Sequence, residues 1–231
     1  MKIIVSPSKT QKPDYTKHFE DADLLFPKQH QKLVSLLKKQ RKTDIATVMN
    51  LNKDLLDQTY KNIKDYKTNI PFQAFYSFDG LVFKNLDKAN YKEAELAYIK
   101  KHVVVLDAFY GILEPGTLIK PYRLDMKMNF GLNLYKHWDI DSYFNSDLVI
   151  NLASEEFSKI LHIPLVTISF LQYKNGKYIN QATFSKMARG KMLDYLIKNK
   201  IDDLELIKQF KLDNYRFNLE LSTKSLFVFT R

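Results

Sequence analysis

The 231 residues are 45% hydrophobic and 13% aromatic, which supports a substantial core and excludes a disordered chain. Cysteine is absent, which excludes disulfides, thiol-based peroxidase chemistry, iron–sulfur ligation and cysteine zinc sites. A formal net charge of +10 favours an anionic partner through long-range attraction. Of the 36 basic residues only Arg41, Arg123, Arg189, Arg216 and Arg231 are arginines, and a planar, bidentate guanidinium is the group a phosphate or carboxylate requires. The histidines are scattered without HExxH or close-pair spacing, so no metal site and no cofactor are expected. No apolar run approaches the ~20 residues of a membrane helix, and the first residues are too short for a signal-peptide apolar region. The expectation is a cytoplasmic protein without a membrane partner.

In chain order, Lys2 to Val5 reads as a first strand. It delivers Ser6-Pro7-Ser8-Lys9-Thr10, whose hydroxyls, backbone N–H groups and ammonium make either an anion cradle or a turn with a solvated lysine. It is not a Walker A loop, since the glycines are missing. Residues 11–27, broken by Pro13 and Pro27, form an irregular connection. Three helices follow. The first, Lys28 to Arg41, puts Leu33, Leu36 and Leu37 on one face. The second is short and capped by Thr43; the third is capped by Asn52, with Leu55, Leu56, Tyr60 and Ile63 as its stripe. The aromatic run FQAFYSF, ending at Phe78, is expected in the core rather than stacked on bases. Asn90 then caps a helix from Tyr91 to Lys101.

Val103 to Leu106 is too short and too uniformly apolar for anything but a buried strand. Gly111, Pro115 and Gly116 turn the chain twice before Pro121 to Met126 returns as a strand-like run. There Tyr122, Leu124 and Met126 share one face, Arg123 and Asp125 the other. Asp125 is near enough to pair with Arg123, and Lys9 lies on a loop with no obvious partner. An amphipathic segment from Leu134 holds the only tryptophan. Leu148 to Leu152 is the next buried strand, with Asn151 at its end needing a partner and Ser154 as an N-cap beyond it. Asn175-Gly176 signals a hairpin. In the helix Ser185 to Lys200, Lys186 and Arg189 share a face. Gly190 costs that helix ~1 kcal/mol relative to alanine, which marks a close approach of backbone or ligand. A second hairpin, Asn214 to Leu221 and Ser225 to Thr230, closes a chain without linkers or repeats, so residues 1–231 read as one domain.

Together these stretches resemble the YaaA family of bacterial peroxide-stress proteins. The resemblance is carried, in family order, by Val5-Ser6-Pro7-Ser8-Lys9-Thr10 (ISPxKT), Tyr110 to Pro115 (YGxLxP) and Pro121 to Met126 (PYRLEM). Leu134 to Trp138 (LYxFW), Asn151 to Ser154 (NLAS) and Lys186 to Gly190 (KARG) complete it. Asp107-Ala108-Phe109 stands where the family has leucine-glycine, Asp125 replaces glutamate, His137 replaces an aromatic, and Met187 interrupts the last motif. The resemblance implies a single compact α+β domain, a mixed, barrel-like sheet wrapped by helices, and a basic cleft. It further implies binding of double-stranded DNA with a helix-hairpin-helix-like element, and a role in limiting damage by peroxide and unincorporated iron. It implies no established catalytic reaction. Leu106 to Leu113, with Gly111, is the local candidate for the helix-hairpin-helix element.

The anion-binding residues expected on these grounds are Ser6, Lys9, Thr10, Tyr110, Gly111, Tyr122, Arg123, Asp125, Asn151, Ser154, Lys186 and Arg189. Two occupants stay open. One is DNA, held by its phosphates with little base readout. The other is a small phosphorylated or carboxylated molecule, bound or turned over. For that, Lys9 and Arg123 would hold the anion, Asp125 or Glu155 would act as acid or base, and Tyr110 or Tyr122 would assist. An open groove favours the first, a pocket holding the motif residues the second.

Overall fold

Strands form where β-branched and apolar residues run together, and the central ones are buried at every successive position. The structure, a computed structural model, describes residues 1–145 and 147–231. Its strands are β1 (Lys2–Val5), β2 (Phe72–Gln73), β3 (Val103–Asp107), β4 (Gly111–Leu113), β5 (Leu118–Ile119), β6 (Val149–Asn151), β7 (Val166–Lys174), β8 (Lys177–Ile179), β9 (Arg216–Phe217) and β10 (Leu226–Thr230). Its α-helices are α1 (Pro27–Lys39), α2 (Lys42–Met49), α3 (Lys53–Lys64), α4 (Ala74–Ser77), α5 (Glu93–His102), α6 (Leu134–His137), α7 (Glu155–Ser158), α8 (Ala182–Asn199) and α9 (Leu204–Ile207).

The main sheet has the order β4-β3-β1-β6-β7-β10-β9, with β8 paired to β7. The five strands from β3 to β10 in that order are parallel; β4, β8 and β9 join antiparallel. Ile3 faces Val103 on one side and Ile150 on the other. Successive strand residues point to opposite faces, so complete burial of Ile3, Ile4 and Val5 means that both faces of the sheet are covered. Helix α5 packs on β1 and β3, and α8 on β7. The fold is therefore a single α+β domain with a mixed sheet, but the expected barrel-like closure is not made. The path ends at β4 and β9, which do not pair with each other. A parallel sheet with both faces covered has no need to close on itself.

Local chemistry accounts for most boundaries. Asn52 caps α3 by accepting from the Leu55 N–H. At α2 the cap is Arg41 rather than Thr43, because Asp44 accepts from both the Arg41 backbone and its guanidinium. Helix α5 starts at Glu93, two residues later than expected, where Glu95 accepts from the Lys92 N–H. Phe72, Phe75 and Phe78 are core residues, as expected. The Asn175-Gly176 hairpin joins β7 to β8, and the closing hairpin pairs Arg216 and Phe217 with β10.

The region 106–113 is a buried β3–β4 hairpin, not a helix-hairpin-helix. Its turn needs no glycine at Ala108, because Asp107 Oδ1 accepts from the N–H groups of Phe109 (2.7 Å) and Tyr110 (3.0 Å). Gly111 has φ +81°, and a Cβ there would meet the Trp138 ring at 2.8 Å, so its backbone is unavailable to a phosphate. Pro121 to Met126 is irregular rather than a strand, yet the expected alternation survives: Tyr122, Leu124 and Met126 are buried while Arg123 and Asp125 are partly buried.

Candidate functional site

From β1 the chain crosses to β3 on one side, and from β6 to β7 on the other. Neighbouring strands whose connections depart in opposite directions leave a crevice at their carboxyl ends. Here those ends carry Ser6 and Ser154. The Ser6 hydroxyl accepts from the Ser154 N–H at 2.8 Å and lies 3.2 Å from its Oγ, so Ser154 joins the two loops instead of capping α7 with its side chain.

A cleft of about 330 Å³ opens at this point. Its walls are the 6–11 loop, residues 80–83, the 122–125 segment, the loop after β6, and the first half of α8. Helix α8 is positioned by Gly190, where an added Cβ would lie 2.2 Å from the Val82 carbonyl oxygen. That close approach seats Lys186 and Arg189 beside Val82 and Phe83.

The cleft is lined by Lys9, Arg123, Lys186 and Arg189 and by two carboxylates, Asp125 and Glu156. Lys9 Nζ is bound to Asp125, not free on its loop, so that carboxylate serves Lys9 and leaves Arg123 alone. Arg123, Lys186 and Arg189 make no salt bridge among the described residues, whereas the Nζ of Lys191, one turn further along α8, reaches Asp213. The Nε atoms of both Arg123 and Arg189 are buried without a hydrogen-bond partner among the described residues. Burial lowers the pKa of the Arg189 guanidinium from its usual value, though it remains a cation at physiological pH. Buried donors without partners are rare and costly, and two on guanidinium groups facing one cleft mark a place suited to an oxyanion.

Of the residues named from sequence, Ser6, Lys9, Thr10, Tyr122, Arg123, Asp125, Ser154, Lys186 and Arg189 line this cleft. Tyr110, Gly111 and Asn151 do not. Tyr110 is buried, with its hydroxyl bonded to Tyr66 and accepting from the Lys120 N–H. Gly111 lies under Trp138. Asn151 is satisfied at the sheet, accepting from the Ala153 N–H at 2.9 Å and donating to Thr167 at 3.2 Å. The sequence reading missed Ser8, Gln11, the 80–83 segment and Phe157 as wall residues. The signal for the 80–83 segment was Gly190, which called for a close neighbour that sequence spacing does not identify.

The acid–base roles considered for these residues are otherwise engaged. Asp125 holds Lys9, and exposed Glu155 pairs with Lys159 at 2.7 Å. The Tyr122 hydroxyl donates to buried Asp107. Burial pushes the Asp107 carboxyl up to about 6, against the pull of that hydroxyl and of the Phe109 and Tyr110 N–H groups. Burial, then Asp107, raises Tyr122 well above its ordinary value. The pair fixes the ring that backs the cleft. What the arrangement offers a ligand is guanidinium, ammonium and hydroxyl groups, together with the carboxylate of Glu156.

The sequence matches the family described as "Peroxide stress protein YaaA" over residues 1–221. It is 36% identical over 245 residues to a UPF0246 protein of Fusobacterium nucleatum, spanning 100% of this chain and 99% of that one. A UPF0246 protein of Finegoldia magna is 32% identical over 241 residues, covering 100% and 98% of the two chains. One from Legionella pneumophila is 33% identical over 256 residues, covering 100% and 99%. The motifs at the cleft, the full-length identities and the profile match agree: the chain belongs to the peroxide stress protein YaaA family.

Proposed function

We propose that the protein contributes to the peroxide stress response by binding a small anionic ligand, phosphorylated or carboxylated, in the cleft at the carboxyl ends of β1 and β6. One observation supports this reading: Arg123 and Arg189 line the same cleft, and among the described residues neither has a carboxylate partner and the buried Nε of each is unbonded. The cleft's size, about 330 Å³, is that of a small-molecule site rather than a groove for several nucleotides. The role is one of binding, without an assigned reaction. Thermal unfolding with added phosphate at constant ionic strength tests it. Phosphate should raise the midpoint of the parent and not that of Arg189→Ala; an equal response in both, or none in the parent, contradicts it.

A second reading is sequence-tolerant binding of double-stranded DNA, through which damage from peroxide and unincorporated iron would be limited. It is favoured by the net charge of +10 and by Lys28, Lys32 and Lys39 along one open face of α1. If DNA occupies the cleft, Arg189→Ala weakens all short random duplexes alike and lowers the salt slope by roughly one contact. If the cleft serves a small ligand, duplex affinity is unchanged in that variant while phosphate binding is lost.

A further inference from the structure

Arg123 lines a second cavity as well as the cleft. This neighbour encloses about 230 Å³ between residues 9–13, residues 121–123 and helix α3. The two spaces share the wall formed by Lys9, Thr10, Gln11, Tyr122 and Arg123. Their far walls differ in chemistry. The cleft ends on Lys186 and Arg189; the neighbour ends on Leu55, Gln58, Thr59 and Asn62, which carry no charge. The Gln11 carboxamide is committed to the backbone of Tyr122, donating to its carbonyl and accepting from its N–H, both at 3.1 Å. That leaves Gln58 and Asn62 as the carboxamides available to a ligand.

We propose that the two cavities form one bipartite site for an organic phosphomonoester. The phosphate sits in the cleft, and an uncharged, hydrogen-bonding body, a sugar or a nucleoside, lies against Gln58 and Asn62. This rests on the anion reading of the cleft and adds the class of molecule that bears the anion. Arg123 stands at the junction, and its fork of donors can serve the phosphate on one side and an ester or hydroxyl oxygen on the other. Carboxamides supply a donor and an acceptor together, which suits both hydroxyl groups and the edges of heterocycles. Inorganic phosphate alone would occupy part of the cleft and use none of the α3 wall.

Calorimetric titration of the full chain tests this with inorganic phosphate, ribose 5-phosphate and the four ribonucleoside 5′-monophosphates as probes. The variants are Lys186→Ala and the double substitution Gln58→Ala/Asn62→Ala. Alanine at these helical positions favours the helix, and a melting curve verifies folding. At least one organic phosphate should bind about tenfold more tightly than inorganic phosphate, the value of one or two added hydrogen bonds. The double variant should erase that advantage and leave inorganic phosphate unaffected. Lys186→Ala should weaken every probe alike. Ribose 5-phosphate against the nucleotides separates a sugar body from a nucleoside. Organic phosphates that bind no more tightly than inorganic phosphate, or that bind the double variant as they bind the parent, overturn the bipartite site while the anion reading stands. Failure of every phosphate to bind overturns both.

Discussion

Replacing Gly190 with valine is expected to lower the unfolding midpoint by about 10 °C, one of the two largest effects of a single substitution in this chain. Two terms oppose each other. Replacing glycine in a helix interior is worth about 1 kcal/mol in helix propensity for alanine and about 0.4 kcal/mol for β-branched valine. Against that, a Cβ would lie 2.2 Å from the Val82 carbonyl oxygen and 2.8 Å from the Asn85 Cβ, so α8 and residues 82–85 must separate. Neither obstacle is the free end of a flexible side chain, and overpacking of this kind costs about 1–3 kcal/mol for small insertions and more for a branched one. The clash wins. Because Val82 and Phe83 form one cleft wall and Lys186 and Arg189 another, the same variant should also lose phosphate binding. Calorimetric melts of parent, Gly190→Ala and Gly190→Val should descend in that order; a valine variant that melts with the parent contradicts the packing.

Asp107→Ala is expected to cost about 3–5 kcal/mol, because it leaves the N–H groups of Phe109 and Tyr110 and the Tyr122 hydroxyl buried without an acceptor. Asp107→Asn keeps an acceptor for the turn, replaces the other oxygen with a donor, and removes the charge. Its pH dependence separates the charge from the hydrogen bonds. Burial raises the carboxyl from its ordinary value to about 6, so the folded state holds the proton more tightly than the unfolded state. The associated stability is fully present below the ordinary carboxylate range and is lost as pH rises through about 6. Denaturant melts between pH 4 and 7 should therefore show the parent losing stability relative to Asp107→Asn as pH rises. A constant difference across that window contradicts the assignment.

Much of this was legible in the sequence where one residue type had one physical meaning. Val103 to Leu106 could only be a buried strand, Asn175-Gly176 a hairpin, and Gly190 a close contact. The alternation from Tyr122 to Met126 correctly sorted buried from available side chains, although no strand forms there, because burial alternates in any extended segment. The failures came where a side chain had several suitors. Asp125 pairs with Lys9 rather than adjacent Arg123, a choice decided by how the β1 loop returns across the cleft. Asn151 and Tyr110, polar residues at strand ends, lie away from the cleft, each bonded to a neighbour that only the folded chain supplies. Sheet closure is an expectation of the family resemblance alone, and strand order, which no local pattern encodes, decides it.

The central claim is that Arg123 and Arg189 together hold an oxyanion at the carboxyl ends of β1 and β6. Crystals soaked in selenate and measured at the selenium edge locate such an ion directly. One dominant site is expected, with selenate oxygens about 3 Å from guanidinium nitrogens of both arginines. An empty cleft, with selenate only along the lysines of α1 or nowhere on the chain, contradicts it.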